Sequence, residues 1–238
     1  MSPGGEARWL LVGNSRWHWA AEQQGQRRYW SEPPASTLGV QPQHWAAVGA
    51  LPPGLDAARQ IVLAQVPLQL MPPSLGIDRA LAGYQAWSLT QGPVLVADAG
   101  TALSLTWIDA RGCFAGGRLM AGAALQLRAL HQATEALPAI ELPAALPPAD
   151  GPSGPQSWPR QTVAALQAGV LEGLAGALQR AAWQLQQREP RLQLWLTGGD
   201  GQVLAALLNA PPRDQAAGPW RWDPGLCLDG LARVAALS

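Results

Sequence analysis

Asp98 lies in "VLVADAGTALSL", at the carboxyl end of an apolar run, with Gly100 and the hydroxyl of Thr101 following it. Ligands of open α/β sheets gather at strand ends, and a carboxylate there can hold a metal ion that bridges phosphate oxygens. An Asp-capped hairpin turn without a ligand carries the same signature. A comparable turn stands earlier, where "LVGNSRW" presents Gly13, Asn14 and Ser15. Two such turns facing each other would make a phosphate clamp of backbone N–H groups and side-chain oxygens. In "LGIDRAL", Gly76 leads into Asp78 and Arg79 at the start of a helical pattern. Arg79 suits an anionic substrate group and Asp78 a proton taken from a hydroxyl nucleophile, although an Asp-Arg pair in a first turn also serves as an ordinary cap. "TGGDG" adds Gly198 and Gly199 after an apolar run, a turn that lets a nucleotide approach the backbone but is common in itself.

All 16 basic residues are arginine and there is no lysine. A Walker-type phosphate loop, the strand lysine of protein kinases, Schiff-base chemistry and Ser-Lys hydrolysis are therefore excluded. Any phosphate chemistry must rest on backbone N–H groups, arginine and a metal held by carboxylates. His18, His44 and His131 are too dispersed for a metal site, and the pairs Trp17/Trp19 and Trp220/Trp222 suit a core or interface better than a cofactor cage.

Strands and turns must position these residues. "RWLLV" is a strand, "GNS" a turn, "RWHWA" a strand with Trp17 and Trp19 on one face, and "RRYWS" a third strand. The order returns in "PVLVA", "DAGT", "ALSLTWI", "DARG" and "CFAGGRL". The chain thus reads as a duplicated α/β protein with domains 1–91 and 92–238, the boundary falling near Gly92 and Pro93. Seven prolines between Leu137 and Arg160 predict a surface excursion or lid, and Gln161 to about Arg188 a long helix. Gly169, Gly173 and Gly176 weaken that helix, which predicts close packing there against another backbone. "RLQLWL" is a further strand and "GLCLDGLARVAAL" a terminal helix.

Only 13% of residues are charged, against roughly 25% in ordinary soluble domains, so apolar surface is left over and a homo-oligomer is expected. The formal net charge is zero with arginines scattered, which argues against nucleic acid. Cys113 and Cys227 form no disulfide framework, no apolar run reaches the ~18 residues of a membrane span, and no secretory leader is visible. These features predict a cytoplasmic protein with no membrane partner.

In order along the chain, "LVGNS", "GIDR", "DAGTA", "GGRLMAG" and "TGGDG" resemble the "D-x-G-N-T", "G-x-D-R", "D-x-G-T-A", "G-G-x-I-x-P-G" and "T-G-G" signatures of type III pantothenate kinases. The likeness runs from Trp9 to the terminal helix and is dense in "GGRLMAGAALQLRALHQATEALP", including Leu130, Thr134, Leu137 and Pro138. The resemblance implies two ribonuclease-H-like (actin-like ATPase) domains forming a cleft, in a homodimer that binds ATP and pantothenate. It implies Asp78 as general base, Gly76, Asp78, Arg79 and Thr162 at pantothenate, and Asp98 on a cation. Gly13, Asn14, Ser15, Gly100, Thr101, Gly198 and Gly199 would meet ATP. Magnesium with ATP and a monovalent cation, potassium or ammonium, are the implied cofactors. Two positions depart: Leu11 replaces the first-strand Asp, and Ala121 the usual Pro. The loss at Leu11 leaves open a nucleotide-binding regulator impaired in catalysis.

Overall fold

The computed structural model describes residues 7–35, 38–143, 158–210 and 218–237. Most of the proline-rich stretch, 144–157, lies outside the described residues, and with it the expected lid. The chain divides into two compact units. The first takes Met1–Gly92, Trp107–Gly116 and Pro224–Ser238, the second Pro93–Thr106 and Gly117–Asp223. The chain therefore changes unit more than once, where the sequence reading drew a single boundary.

In the first unit, β1 (Ala7–Val12), β2 (Trp17–Gln23), β3 (Gln26–Glu32) and β4 (His44–Ala47) form one sheet in the order β3-β2-β1-β4. β1 runs antiparallel to β2, β2 antiparallel to β3, and β4 parallel to β1. Gln24 and Gly25 link β2 to β3 with both φ angles positive, the geometry that matches the twist of a tight hairpin. The alternation in "RWHWA" sends Trp17 and Trp19 to one face, where they pack with Leu10, Val12 and Trp45. Trp19 stacks on Trp30 across the strands, with ring centroids 5.9 Å apart.

Helix α1 (Ile77–Thr90) belongs to this unit and buries Ile77, Ala80, Leu81 and Tyr84. Its partner is the terminal helix α5 (Leu226–Ala235). Gly230 lets the two backbones meet, because any Cβ there would overlap the Leu81 carbonyl. Arg233 Nε donates to Gln85 Oε1 at 2.6 Å along the same seam.

A second sheet holds β5 (Val94–Ala99), β6 (Ala102–Ile108), β7 (Phe114–Ala121), β8 (Gln193–Thr197) and β9 (Trp220–Trp222), ordered β7-β6-β5-β8-β9, all of it in the second unit except the end of β6 and the start of β7. β8 is parallel to both β5 and β9. Around it are α2 (Ala123–Ala133), α3 (Thr162–Gln186) and α4 (Gly201–Leu208). The two sheets repeat one plan, three strands joined by short turns with a later strand parallel to the first of them. This is the ribonuclease-H-like arrangement twice over, as the duplication predicts. The expectation for Gly169, Gly173 and Gly176 is not met among the described residues. A Cβ at each would meet nothing within 4 Å, so these glycines lie on an open face of α3.

Candidate active site

In the first unit the Gly13–Asn14–Ser15 turn links β1 to β2, closed by Gly13 N donating to the Arg16 carbonyl at 3.0 Å. Gly13 has no room for a side chain, since a Cβ would lie 2.6 Å from that carbonyl oxygen. The loop after β4 braces the turn, with Val48 N and Gly49 N both donating to the Val12 carbonyl, at 2.9 and 3.1 Å. Gly49 itself abuts the Gly13 carbonyl, where a side chain would collide. Asn14, Ser15 and Arg16 are exposed. Leu11, near the end of β1, is only 6% exposed and brings no polar side-chain atom to the turn.

Gly76, Asp78 and Arg79 come together at the head of α1, with Gly76 at the N-cap. Asp78 folds back over Gly76, so that a Cβ there would sit 2.5 Å from Asp78 Oδ1. The same oxygen accepts from Arg79 N at 2.8 Å, satisfying one of the unpaired donors of the helix start. Burial pushes the Asp78 carboxyl above the ordinary carboxylate range, against the opposing pull of the Arg79 N–H, the Arg79 charge and His18. The Arg79 guanidinium is itself pushed down by burial and lies 5.9 Å from the Phe114 ring centre. From α5, Cys227 Sγ approaches the Asp78 carbonyl at 3.5 Å. This half-buried carboxyl, its proton affinity raised and one oxygen pinned, is suited to proton transfer.

In the second unit Asp98 stands near the end of β5, paired in register with Thr197 of β8. β8 runs out into Gly198, whose φ of +86° suits glycine alone and whose Cβ would lie 2.5 Å from Asp98 Oδ1. The Asp98 carboxylate is thereby set against the Gly198–Gly199 turn. Asp200 N donates to the Ala99 carbonyl at 2.9 Å, tying that turn to the end of β5. The Asp200 carboxyl is also pushed up by burial. Gly100 and Thr101 make the tight β5–β6 turn, on which Gly122, the N-cap of α2, donates to the Thr101 carbonyl at 3.0 Å. Any side chain at Gly122 would strike the Gly100 carbonyl. Thr162 is the exposed first residue of α3 and makes no side-chain hydrogen bond among the described residues.

A family model described as Type III pantothenate kinase matches residues 55–184, a span holding Gly76 to Arg79, Asp98 to Thr101 and Thr162. A relative of that description from Synechococcus elongatus is 34% identical, covering 95% of this chain and 95% of its own. Another, from Synechococcus sp. strain JA-3-3Ab, is 39% identical, covering 94% and 91%. The chain belongs to the type III pantothenate kinase family. A solved Campylobacter jejuni protein described as a Baf family transcriptional activator shares the fold, with a TM-score of 0.61 at 20% identity, covering 97% of this chain and 98% of its own. Membership makes the chain an ATP-dependent kinase by class.

Two pieces of these turns escape a reading of the sequence. Gly49 acts through backbone approach and carries no side-chain signal of its own. His18 looks like one polar member of an alternating strand, yet its Nδ1 lies 2.7 Å from Ser31 Oγ and its ring borders Gly13.

Proposed function

We propose that this chain transfers the γ-phosphoryl group of ATP to the 4'-hydroxyl of pantothenate, giving 4'-phosphopantothenate and ADP, the first step of coenzyme A biosynthesis. Family membership supports the substrates. The observation that carries the chemistry is Asp78, a carboxyl raised in proton affinity by burial at the head of α1. Asp78 accepts the hydroxyl proton as the oxygen attacks phosphorus and the bond to the ADP oxygen breaks. Its raised proton affinity brings it closer to working pH, where a base accepts with more driving force. Arg79, beside it, and Gly76 and Thr162 seat pantothenate. Gly13, Asn14, Ser15, Gly100, Thr101, Gly198 and Gly199 receive ATP, their backbone N–H groups and hydroxyls meeting phosphate oxygens.

Among the described residues no group of three or more His, Cys, Asp or Glu side chains forms a metal cage. Magnesium needs none, since it commonly takes one or two carboxylates and completes its shell with water and substrate phosphates. Asp98, fixed against Gly198, fits that role. A bound magnesium neutralises charge on the transferring phosphoryl group. A monovalent cation, potassium or ammonium, is included on the resemblance alone.

A homodimer is part of the same reading. The open face of α3 carries Gly169, Gly173 and Gly176 with the half-exposed Trp183, a surface a second copy could approach closely. No helix among the described residues is long and apolar enough to cross a membrane, and neither cysteine forms a disulfide, which supports the cytoplasm. Mass spectrometry of reactions with ATP, magnesium and pantothenate, with potassium present or omitted, tests the activity. Product that requires pantothenate is expected. Folded protein that binds ATP and yields none would reject the kinase reading in favour of a regulator lacking the first-strand carboxylate.

A further inference from the structure

The β1–β2 register sets His18 directly across from Leu11, so both side chains share one face beside the Gly13 turn. Leu11 offers that face nothing polar. A Cβ built on Gly13 would lie 3.4 Å from His18 Nε2 and 3.5 Å from its Cδ2, so this ring edge borders the turn. The opposite edge is anchored, with Nδ1 at 2.7 Å from Ser31 Oγ. Ser31 is held in turn by Arg16, whose guanidinium donates to the Ser31 carbonyl at 2.8 Å. Nε2 has no hydrogen-bond partner among the described residues. An oriented ring with one nitrogen engaged and the other turned toward an exposed glycine turn is a built donor position, in a chain that has no lysine to supply one.

We propose that His18 is a phosphate-binding residue, its Nε2–H donating to a terminal phosphate oxygen of the nucleotide at the Gly13–Asn14–Ser15 turn. The inference rests on reading that turn as a phosphate turn. The charged groups acting on the ring are Arg16, in the turn, and Asp78, on α1; Ser31 on β3 is neutral. Burial first and Arg16 second favour the neutral imidazole, while Asp78 opposes them. A neutral ring has a single N–H, and with the Ser31 hydroxyl donating to Nδ1 that hydrogen sits on Nε2. An arriving phosphate selects this tautomer and draws the ring toward its protonated form.

Calorimetry with magnesium and a non-hydrolysable ATP analogue, against AMP, tests the proposal on wild-type protein and on His18→Asn and His18→Gln. A Gln amide nitrogen can occupy the place of Nε2, whereas that of Asn falls short. His18→Asn is expected to bind the triphosphate about tenfold more weakly with AMP affinity unchanged, as for one lost hydrogen bond to a charged group, and His18→Gln to recover most of it. Equal triphosphate affinity in all three proteins would overturn the assignment. Proton NMR of the wild type avoids dependence on the variants' folding, since the chain has only 3 histidines to assign. The triphosphate should raise the His18 pKa and AMP should not; no shift would also overturn it. If wild-type protein binds no nucleotide, the phosphate-turn reading itself falls. If Asn14→Ala weakens binding and the His18 variants do not, only the role of His18 falls.

Discussion

The β1–β2 and β5–β6 turns occupy matching places in two sheets of the same order, yet they hold different chemistry. Near its end β5 carries Asp98, set against a glycine that no other residue could replace without moving the carboxylate. At the matching place β1 carries Leu11, buried and apolar, and the polar groups nearby come from other elements, His18 on β2 and Asp78 on α1. A repeated backbone thus supplies repeated glycine turns, while the work of each turn depends on which side chains its neighbours contribute. On the function proposed above, one half holds a cation beside phosphate and the other accepts a proton.

The sharpest way to break this contrast is Asp78→Asn. Turnover is expected to fall by about 10²–10⁴-fold with both substrates still bound, as for loss of a general base. Because burial raises the Asp78 pKa, the folded protein binds this proton more tightly than the unfolded chain does. Its contribution to stability therefore declines as pH rises from the ordinary carboxylate value through the raised one. Asp78→Asn should accordingly melt higher than wild type at pH 7, with the gap closing on acidification in calorimetric scans. In wild-type protein, kcat/KM should drop on the acid side at a pH above the ordinary carboxylate range.

Asp98→Asn tests the other turn. The magnesium concentration for half-maximal rate is expected to rise about tenfold or more while the acid limb of the pH profile stays where it was; an unchanged magnesium requirement would remove Asp98 from the metal. Gly198→Ala should destabilise the fold by about 1–3 kcal/mol in denaturant melts, from its positive φ alone, with further loss from contact with Asp98 and the Ala99 carbonyl. The smallest effect is expected from making the turns alike. Leu11→Asp should lower the magnesium requirement a few-fold, at the cost of burying a carboxylate, and no change in that requirement would mean that the first turn does not meet the metal.

Much of this was legible beforehand where a local pattern is long enough. β1, β2, β3, β5, β6, β7, α3 and α5 each announce themselves by alternation, apolar runs or helical period. β4 and β9 do not, because "HWAA" and "WRW" are shorter than the repeat needed to see a period, and parallel pairing to a distant strand defines them. The three glycines of α3 show a further limit. Glycine in a helix signals that something needs room, but whether a neighbour fills it depends on which elements pack there, and among the described residues none does.

The candidate site divides along the same line. Glycine turns after strands, a carboxylate at a strand end and an Asp-Arg pair at a helix start are matters of residue type and close spacing, so the sequence by itself determined them and the family they indicate. Contacts between distant segments were decided only by the tertiary structure. It set Asp98 against Gly198, bringing together residues a hundred positions apart, and joined α5 to α1 through Gly230. It also aimed the His18 ring edge at Gly13 and desolvated Asp78 at the head of its helix. Burial and long-range approach belong to the packed molecule, and proton affinity and donor geometry follow from them.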